Sequence, residues 1–294
     1  MRTVGGQSEA GRLVAVAVKP VRDAFHSDRA LERQWRALGY VARPALSAAV
    51  AEYARFLALL EAAAVEVLCL PAHETDGLDS LYARDAAIVC DGGVILCNMT
   101  KPQRASEPGA HEAAYRAAGI PIHGRIEGDG RLEGGDVCWI DPRTLAVGRG
   151  YRTNDAGIHQ LRDLLRGRVD DLIVVPLPHW RGPDDVFHLM SIVSPIDRDL
   201  FLVYAPLVPV PFREALLARG IELVSVPDAE FATLGCNVLA LAPREVLMVA
   251  GNPETRTRLA RASVTVHEFS GQEICLKGGG GPTCLTRPLE RIPP

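Results

Sequence analysis

The groups in this chain best suited to chemistry are a thiol, an imidazole and a few carboxylates placed beside glycine. Cys284 follows Lys277 and the run Gly278, Gly279, Gly280, Gly281, a loop whose backbone amides can approach a ligand closely. A phosphate cradle does not fit, because its glycines need Lys-Ser/Thr after them and Pro282-Thr283-Cys284 follows instead. A thiol beyond such a turn reads as an exposed nucleophile, and its ordinary alternative is a small core residue. The remaining cysteines (Cys69, Cys90, Cys97, Cys138, Cys236 and Cys275) lie in or beside apolar runs, or at Gly235-Cys236-Asn237, and are expected in the core. Thiol chemistry needs a proton carrier. His188, in Val186-Phe187-His188-Leu189-Met190, would titrate near neutrality and could protonate a leaving group. A satisfied core or surface histidine is the commoner fate, and His179 competes for the role. Glu133 and Asp136 flank Gly134-Gly135 at the start of a strand. Carboxylates so placed suit a cationic ligand through charge-assisted hydrogen bonds, or belong to an ordinary turn. Asp85, after Arg84, is either a site acid or half of a simple ion pair.

Short runs rich in Val, Ile and Leu must carry these groups. They fall at residues 13–19, 65–70, 86–90, 94–97, 144–147, 172–176, 200–204, 222–226, 238–241, 245–249 and 264–269, each bounded by Gly, Pro, Asp or Asn. Helical patterns occupy 43–64, 107–118, 153–165, 210–219 and 253–261. The grammar strand, tight turn, strand, helix, strand occurs from residue 86 and returns from residue 238. A unit of about 40–60 residues points to a radial or solenoid arrangement within one domain. A doubly wound dinucleotide fold would show a glycine-rich first turn opening a helix, and none is present. The expected organisation is one catalytic domain over residues 13–294, preceded by a flexible segment at residues 1–12. The last three residues, Ile292-Pro293-Pro294, are also expected to fray.

Composition narrows the functional classes. The chain has 294 residues, 48% of them hydrophobic, so it can build a core and is not a disordered protein. Its formal charge of −4 argues against nucleic acid or an anionic membrane as the main partner. Lysine occurs only at Lys19, Lys101 and Lys277, so the cations are overwhelmingly arginine. An odd set of seven cysteines without dense spacing argues against a disulfide scaffold, and the absence of CxxC and HxxxH removes the common zinc patterns. The apolar stretch 45–70 carries Glu52, Arg55, Glu61 and Glu66, which make it an amphipathic helix running into a strand. The first twelve residues lack the apolar core of a signal peptide, so the expected location is the cytoplasm.

Read together and in order, Arg84-Asp85, Glu133-Gly134-Gly135-Asp136, His188-Leu189 and the glycine-rich Cys284 loop resemble the guanidino-group-modifying, or pentein, superfamily. Its members include dimethylarginine dimethylaminohydrolase, arginine deiminase and amidinotransferases. Arg152-Thr153-Asn154, after Val147-Gly148, adds a further match, and the resemblance runs from about Leu13 onward. It implies an α/β fold, a five-bladed propeller of ββαβ units around a pseudo-fivefold axis, with substrate in the central channel. Residue by residue it implies Cys284 as nucleophile and His188 as general acid and base. Asp85 and Glu133 match carboxylates that hold the guanidinium and orient the histidine. Asp136 matches the aspartate of the glycine-glycine-aspartate motif, supporting the turn, and is grouped with the substrate-binding residues. Asp79 matches a substrate-side acid, while Arg104 and Arg152 match arginines that hold the substrate's carboxylate end.

The implied reaction is cleavage of a guanidino C–N bond of arginine or a methylated arginine through a covalent thiouronium, without metal or organic cofactor. Arginine deiminases carry an aspartate two residues after the histidine, where this chain has Met190. An apolar thioether would tolerate an alkylated nitrogen, which moves the expectation toward a dimethylargininase-like hydrolase. The alternatives are an amidinotransferase, in which an amine intercepts the same intermediate, and a non-catalytic pentein-fold binding protein. The expected partner is a small guanidino compound, with a homo-oligomer allowed and no nucleic acid or membrane. Residues 72–81 and 98–109 are candidates for a lid.

Overall fold

The computed structural model describes residues 4–73, 76–185 and 187–293. Its framework is a set of five small sheets, each of three strands. β1 (Arg12–Val18) and β2 (Glu66–Cys69) pair in parallel, with the Leu46–Ala62 helix in the connection. β3 (Ala87–Cys90), β4 (Gly93–Leu96) and β5 (Ile122–Arg125) form the next sheet, with the Glu107–Ala117 helix before its last strand. β6 (Val137–Asp141), β7 (Thr144–Arg149) and β8 (Asp171–Pro176) repeat the plan around the Asp155–Leu164 helix. β9 (Val193–Asp197), β10 (Leu200–Val203) and β11 (Glu222–Ser225) repeat it around Val210–Ala218. β12 (Leu239–Ala242), β13 (Glu245–Val249) and β14 (Thr265–Phe269) repeat it around Pro253–Arg261. β15 (Thr286–Ile292) then returns to pair antiparallel with β1.

In every unit the first two strands are antiparallel and the second and third parallel. In four units a tight turn joins the first pair, in the fifth that pair is β15 with β1 from opposite ends of the chain, and each parallel pair is joined by a helical crossover. The middle strands are continuous apolar runs, such as Val-Ile-Leu in β4 and Val-Leu-Met-Val in β13, since helices cover one side and neighbouring units the other. Apolar wedges join each sheet to the next. Ala15, Leu289 and Val94 share one wedge, and Ile95, Trp139 and Val147 another. Cys138, Phe201 and Val246 share a third, and Leu247 and Val16 a fourth, so the succession returns to β1 and closes a ring. Five repeated units in a closed ring are the architecture that the sequence resemblance implies.

The segment expected to fray, residues 1–12, is tied down over its described part. Gly5 N donates to Leu289 O at 2.9 Å, Arg291 N to Gly5 O at 3.1 Å, and Glu9 pairs with Arg84 at 2.7 Å. Its polar side chains have buried partners elsewhere in the ring, which local composition does not reveal. Residues 1–3 and 294 lie outside the described residues, as do 74 and 75 of one candidate lid. The other candidate lid is fastened to the site, with Thr100 N donating to Glu133 Oε1 at 3.0 Å. Cys69, expected in the core, is exposed at the end of β2, while Cys90, Cys97, Cys138, Cys236 and Cys275 are buried. No helix among the described residues is long and apolar enough to cross a membrane.

Candidate active site

Strand ends and the turns beside them bring the candidate residues together. Asp85 lies just before β3, Glu133 and Asp136 before β6, His188 before β9 and Cys284 before β15. Four different units therefore contribute equivalent positions, and the ring converges them on one place. Cys284 and His188 line two adjoining cavities. The larger, about 140 Å³, also meets Asn237, Met190, Trp180, Phe187 and Phe231. The smaller, about 20 Å³, is walled by Asp79, Asp85, Lys101, Arg104, Glu133 and Arg152.

The imidazole sits between carboxylates. His188 Nε2 is 2.9 Å from Glu133 Oε2, and Nδ1 is 3.9 Å from Asp85 Oδ1. Glu133 Oε1 accepts from Thr100 N, so both oxygens of this fully buried acid are committed within the protein. Asp85 differs. Its Oδ2 accepts from Arg104 Nη1 at 2.7 Å, while its buried Oδ1 has no hydrogen bond. Gly135 explains the close approach: a Cβ there would stand 2.6 Å from His188 Nδ1 and 2.8 Å from Asp85 Oδ1, so only glycine leaves room for both.

Charge sets the protonation states. Burial alone would lower the His188 pKa, but Asp85, Asp136 and Glu133 outweigh it and lift the value to about 9. The ring is an imidazolium at neutral pH. Burial pushes Asp85 upward and is overcome by His188 and Arg104, which bring it down to about 2. Glu133 is likewise lowered against burial by its hydrogen bond and charge interaction with His188. The Cys284 thiol is pushed up by burial and by the negative charge of Asp85, against a hydrogen bond from Thr283 and the charge of Arg84. A thiol in that field stays protonated until positive charge arrives beside it.

Other expected site residues divide. Asp136 is not a substrate ligand here. It is fully buried, Oδ2 accepts from Thr153 Oγ1 at 2.7 Å and Oδ1 from Leu189 N at 3.0 Å, so it pins the turn that carries His188. Arg104 is also spent internally, on Asp85, on both oxygens of Glu107 and on Tyr82 O, which fixes the orientation of Asp85. Four of its five N–H donors are used in this way, and one on Nη1 is left. Arg152 remains available, with Nη1 3.8 Å from Glu133 Oε1 and Nε without a partner. Asp79 lines the small cavity and pairs with Lys101 at 3.1 Å. His179 lies apart, hydrogen-bonded to Tyr151 at 2.6 Å.

Some residues of the site gave little warning in the sequence. Lys101 places an ammonium in the small cavity, and its rarity in this arginine-rich chain was the available signal. Asn237 points Nδ2 at Cys284 Sγ, 3.5 Å away, while its Oδ1 accepts from Thr283 N and Oγ1. The glycine run has a packing cause beside any contact with ligand: Gly278 and Gly280 lie against the Tyr82 ring, leaving no space for a side chain. Asp85, Glu133 and His188 present ligand atoms within 4.8 Å of one another, the spacing of a cation site. The adjacent guanidiniums of Arg104 and Arg152 already supply positive charge there, so this donor set does not suit a metal.

Known proteins share the family and the fold of this chain. The arginine deiminase family model matches residues 75–212 and 207–291. An arginine deiminase from Listeria welshimeri is 30% identical over 257 residues, which are 74% of this chain and 63% of that protein. The chain thus spans less than two thirds of that relative. DDAH from Pseudomonas aeruginosa, solved with citrulline, superposes with a TM-score of 0.74 at 20% identity, over 94% of this chain and 98% of the other. SxtG, an amidinotransferase from Microseira wollei, gives 0.80 at 18% identity, over 98% and 97%. At those identities the likeness is one of fold.

Proposed function

The chain belongs to the arginine deiminase family within the guanidino-group-modifying superfamily, and from that premise we propose that it is a cysteine hydrolase cleaving a guanidino C–N bond of arginine or an N-substituted arginine. One observation carries the reading: Asp85 Oδ1 is a buried carboxylate oxygen without a partner, beside His188 and on the cavity that Cys284 also lines. A planar cation rich in N–H donors is the ligand such an oxygen lacks.

The electrostatics then give an order of events. Before substrate binds, His188 is charged and Cys284 is a thiol. A guanidinium seated against Asp85 offsets the negative charge that holds the thiol pKa up, and the proton leaves to solvent. The thiolate attacks the guanidino carbon and forms a C–S bond. His188 donates a proton to the departing nitrogen, the C–N bond breaks, and an amine or ammonia leaves. Neutral His188, oriented by Glu133, takes a proton from water as the water attacks the thiouronium carbon. The new hydroxyl loses its proton to solvent as the C–S bond breaks, the second nitrogen stays on the carbon, and a ureido product and the thiolate result. Met190, 3% exposed at the wall of the larger cavity, offers no acceptor to a distal nitrogen and accommodates an alkyl group there.

The test is a panel of arginine, methylated arginines, agmatine and simpler guanidines without any added amine, reading ureido product and released amine together. Stoichiometric formation of both from at least one compound is expected. Product only when an amine acceptor is present would replace hydrolysis with amidino transfer, and no covalent labelling of Cys284 by any guanidine would remove the enzyme reading.

A further inference from the structure

Cys284 and His188 stand where two cavities of opposite character meet. The smaller is walled by carboxylates and by the cations Lys101, Arg104 and Arg152, so under the proposed hydrolysis it suits the guanidinium and the anionic end of an arginine. The larger is mostly apolar, lined by Trp180, Phe187, Met190, Phe231 and Leu234. Two charged residues near Trp180 in the chain, Arg181 and Asp185, also border it, and the Arg181 guanidinium lies 5.6 Å from the Trp180 ring. The apolar members have surface to offer. Trp180 is 40% exposed, and Phe187, Phe231 and Leu234 are half-buried. The rings are also held in place. Phe231 stacks on Tyr204 with centroids 3.8 Å apart and planes at 10°, and Trp180 meets Phe231 edge-on at 6.2 Å and 77°. An exposed tryptophan beside half-buried phenylalanines on a catalytic cavity is the lining of a ligand site, not of a core.

Volume and direction narrow the ligand. At about 140 Å³ the larger cavity is close to the size of an apolar cavity of about 150 Å³ that accepts benzene. A methyl on the guanidino nitrogen leaves most of it unfilled, and apolar surface that stays hydrated adds nothing to binding. His188 lines both cavities, while Met190, two residues on, lines the larger and not the smaller. The nitrogen that meets the imidazolium therefore carries its substituent toward the aromatic wall, and that nitrogen is the one that leaves. Building on the proposed hydrolysis, we propose that the substrate class is an arginine whose leaving guanidino nitrogen bears a bulky apolar group, of aralkyl size, seated against Trp180 and Phe231. The bond that breaks is the C–N bond to that nitrogen. His188 supplies the proton, water supplies the oxygen of the ureido product, and an aralkylamine is released.

The experiment measures kcat/KM for arginine, Nω-methylarginine and Nω-benzylarginine, reading the ureido product together with released ammonia, methylamine or benzylamine. Benzylarginine is expected to be the best substrate by at least about tenfold, a discrimination that a single methylene can already give in an apolar pocket. Trp180→Ala removes part of the wall from an exposed position, so the fold is kept, as circular dichroism checks, and the benzyl-to-methyl ratio should fall toward one. Arginine or methylarginine cleaved as fast as benzylarginine overturns this substrate class and leaves hydrolysis standing. So does release of ammonia with the benzyl group kept on the product, or an unchanged ratio in the variant. No ureido product from any of these compounds overturns it as well, and hydrolysis falls with it only if agmatine and the simpler guanidines are inert too.

Discussion

His188 is gripped by two carboxylates whose effects separate experimentally. Glu133 reaches Nε2 at 2.9 Å and has no free oxygen, so it orients and charges the ring; Asp85 stands off Nδ1 at 3.9 Å with Oδ1 free, so it is placed to meet the substrate. With the imidazolium pKa near 9, kcat/KM should fall as pH rises through that value, since the acid that protonates the leaving nitrogen is lost there. Glu133→Gln removes one of the charges that lift the ring, so the alkaline limb should move to lower pH, with turnover down about 100-fold or more. A pH–rate profile checks both, and a limb that stays in place in the variant would detach Glu133 from the histidine's charge. Cys284→Ser should abolish turnover with an unchanged melting curve, because a hydroxyl does not ionise in a field that already keeps a thiol protonated.

The turns before the strands aim the side chains, and their requirements are steric. Gly135→Ala would put a methyl 2.6 Å from His188 Nδ1, so the imidazole must swing away. Activity should fall at least about 100-fold, as expected when a proton carrier loses its alignment, while circular dichroism is unchanged. Asp136→Ala acts through another route. It strips the acceptor from Leu189 N and Thr153 Oγ1, both buried, and should cost roughly 2–5 kcal/mol in denaturant unfolding. At this scale the sequence was legible where an element has a clear period and bounding residues: the amphipathic helix at 253–261 and the mainly apolar strand at 245–249 stand where the pattern puts them. It was opaque where a strand carries charge or proline inside. β15 reads Thr-Arg-Pro-Leu-Glu-Arg-Ile, with Arg287 and Arg291 turned into the protein, and β9 contains Pro195. β5 has one large apolar residue, Ile122. The site residues were legible as an ordered set of motifs; their division into substrate-facing and internal groups was not, since only packing reveals that Arg104 has used four of its five donors, and Asp136 both its oxygens, within the protein.

Closing the ring through β1 and β15 encloses ionisable groups whose titration the whole fold must bear. His188 binds its proton more tightly in the folded protein, about 9 against an ordinary value near 6.5, so its stabilising contribution is complete below pH 6.5 and is lost as pH rises through 9. Glu107, pushed up to about 7 by burial despite Arg104, also holds a proton longer when folded, and stability declines as pH rises from its ordinary range to 7. Asp136, raised to about 6 by burial, has the same sign over a lower window. His111 opposes them: burial first, then Arg104 and Lys19, lower it to about 3, so it favours folding increasingly as pH rises from 3 to 6.5. Below pH 6.5 these effects partly offset one another; above it His188 has no counterweight, and the buried thiols of Cys90, Cys97, Cys236 and Cys275, raised by burial, extend the same trend above the ordinary thiol range. The melting temperature at constant ionic strength should therefore change little from pH 5 to 6.5 and fall steadily to pH 9. In His188→Gln the slope between 6.5 and about 8.5 should flatten, leaving the decline that begins where thiols in the unfolded chain ionise. A wild-type slope that survives in the variant would mean that the charge of the imidazolium is not what couples this ring to pH.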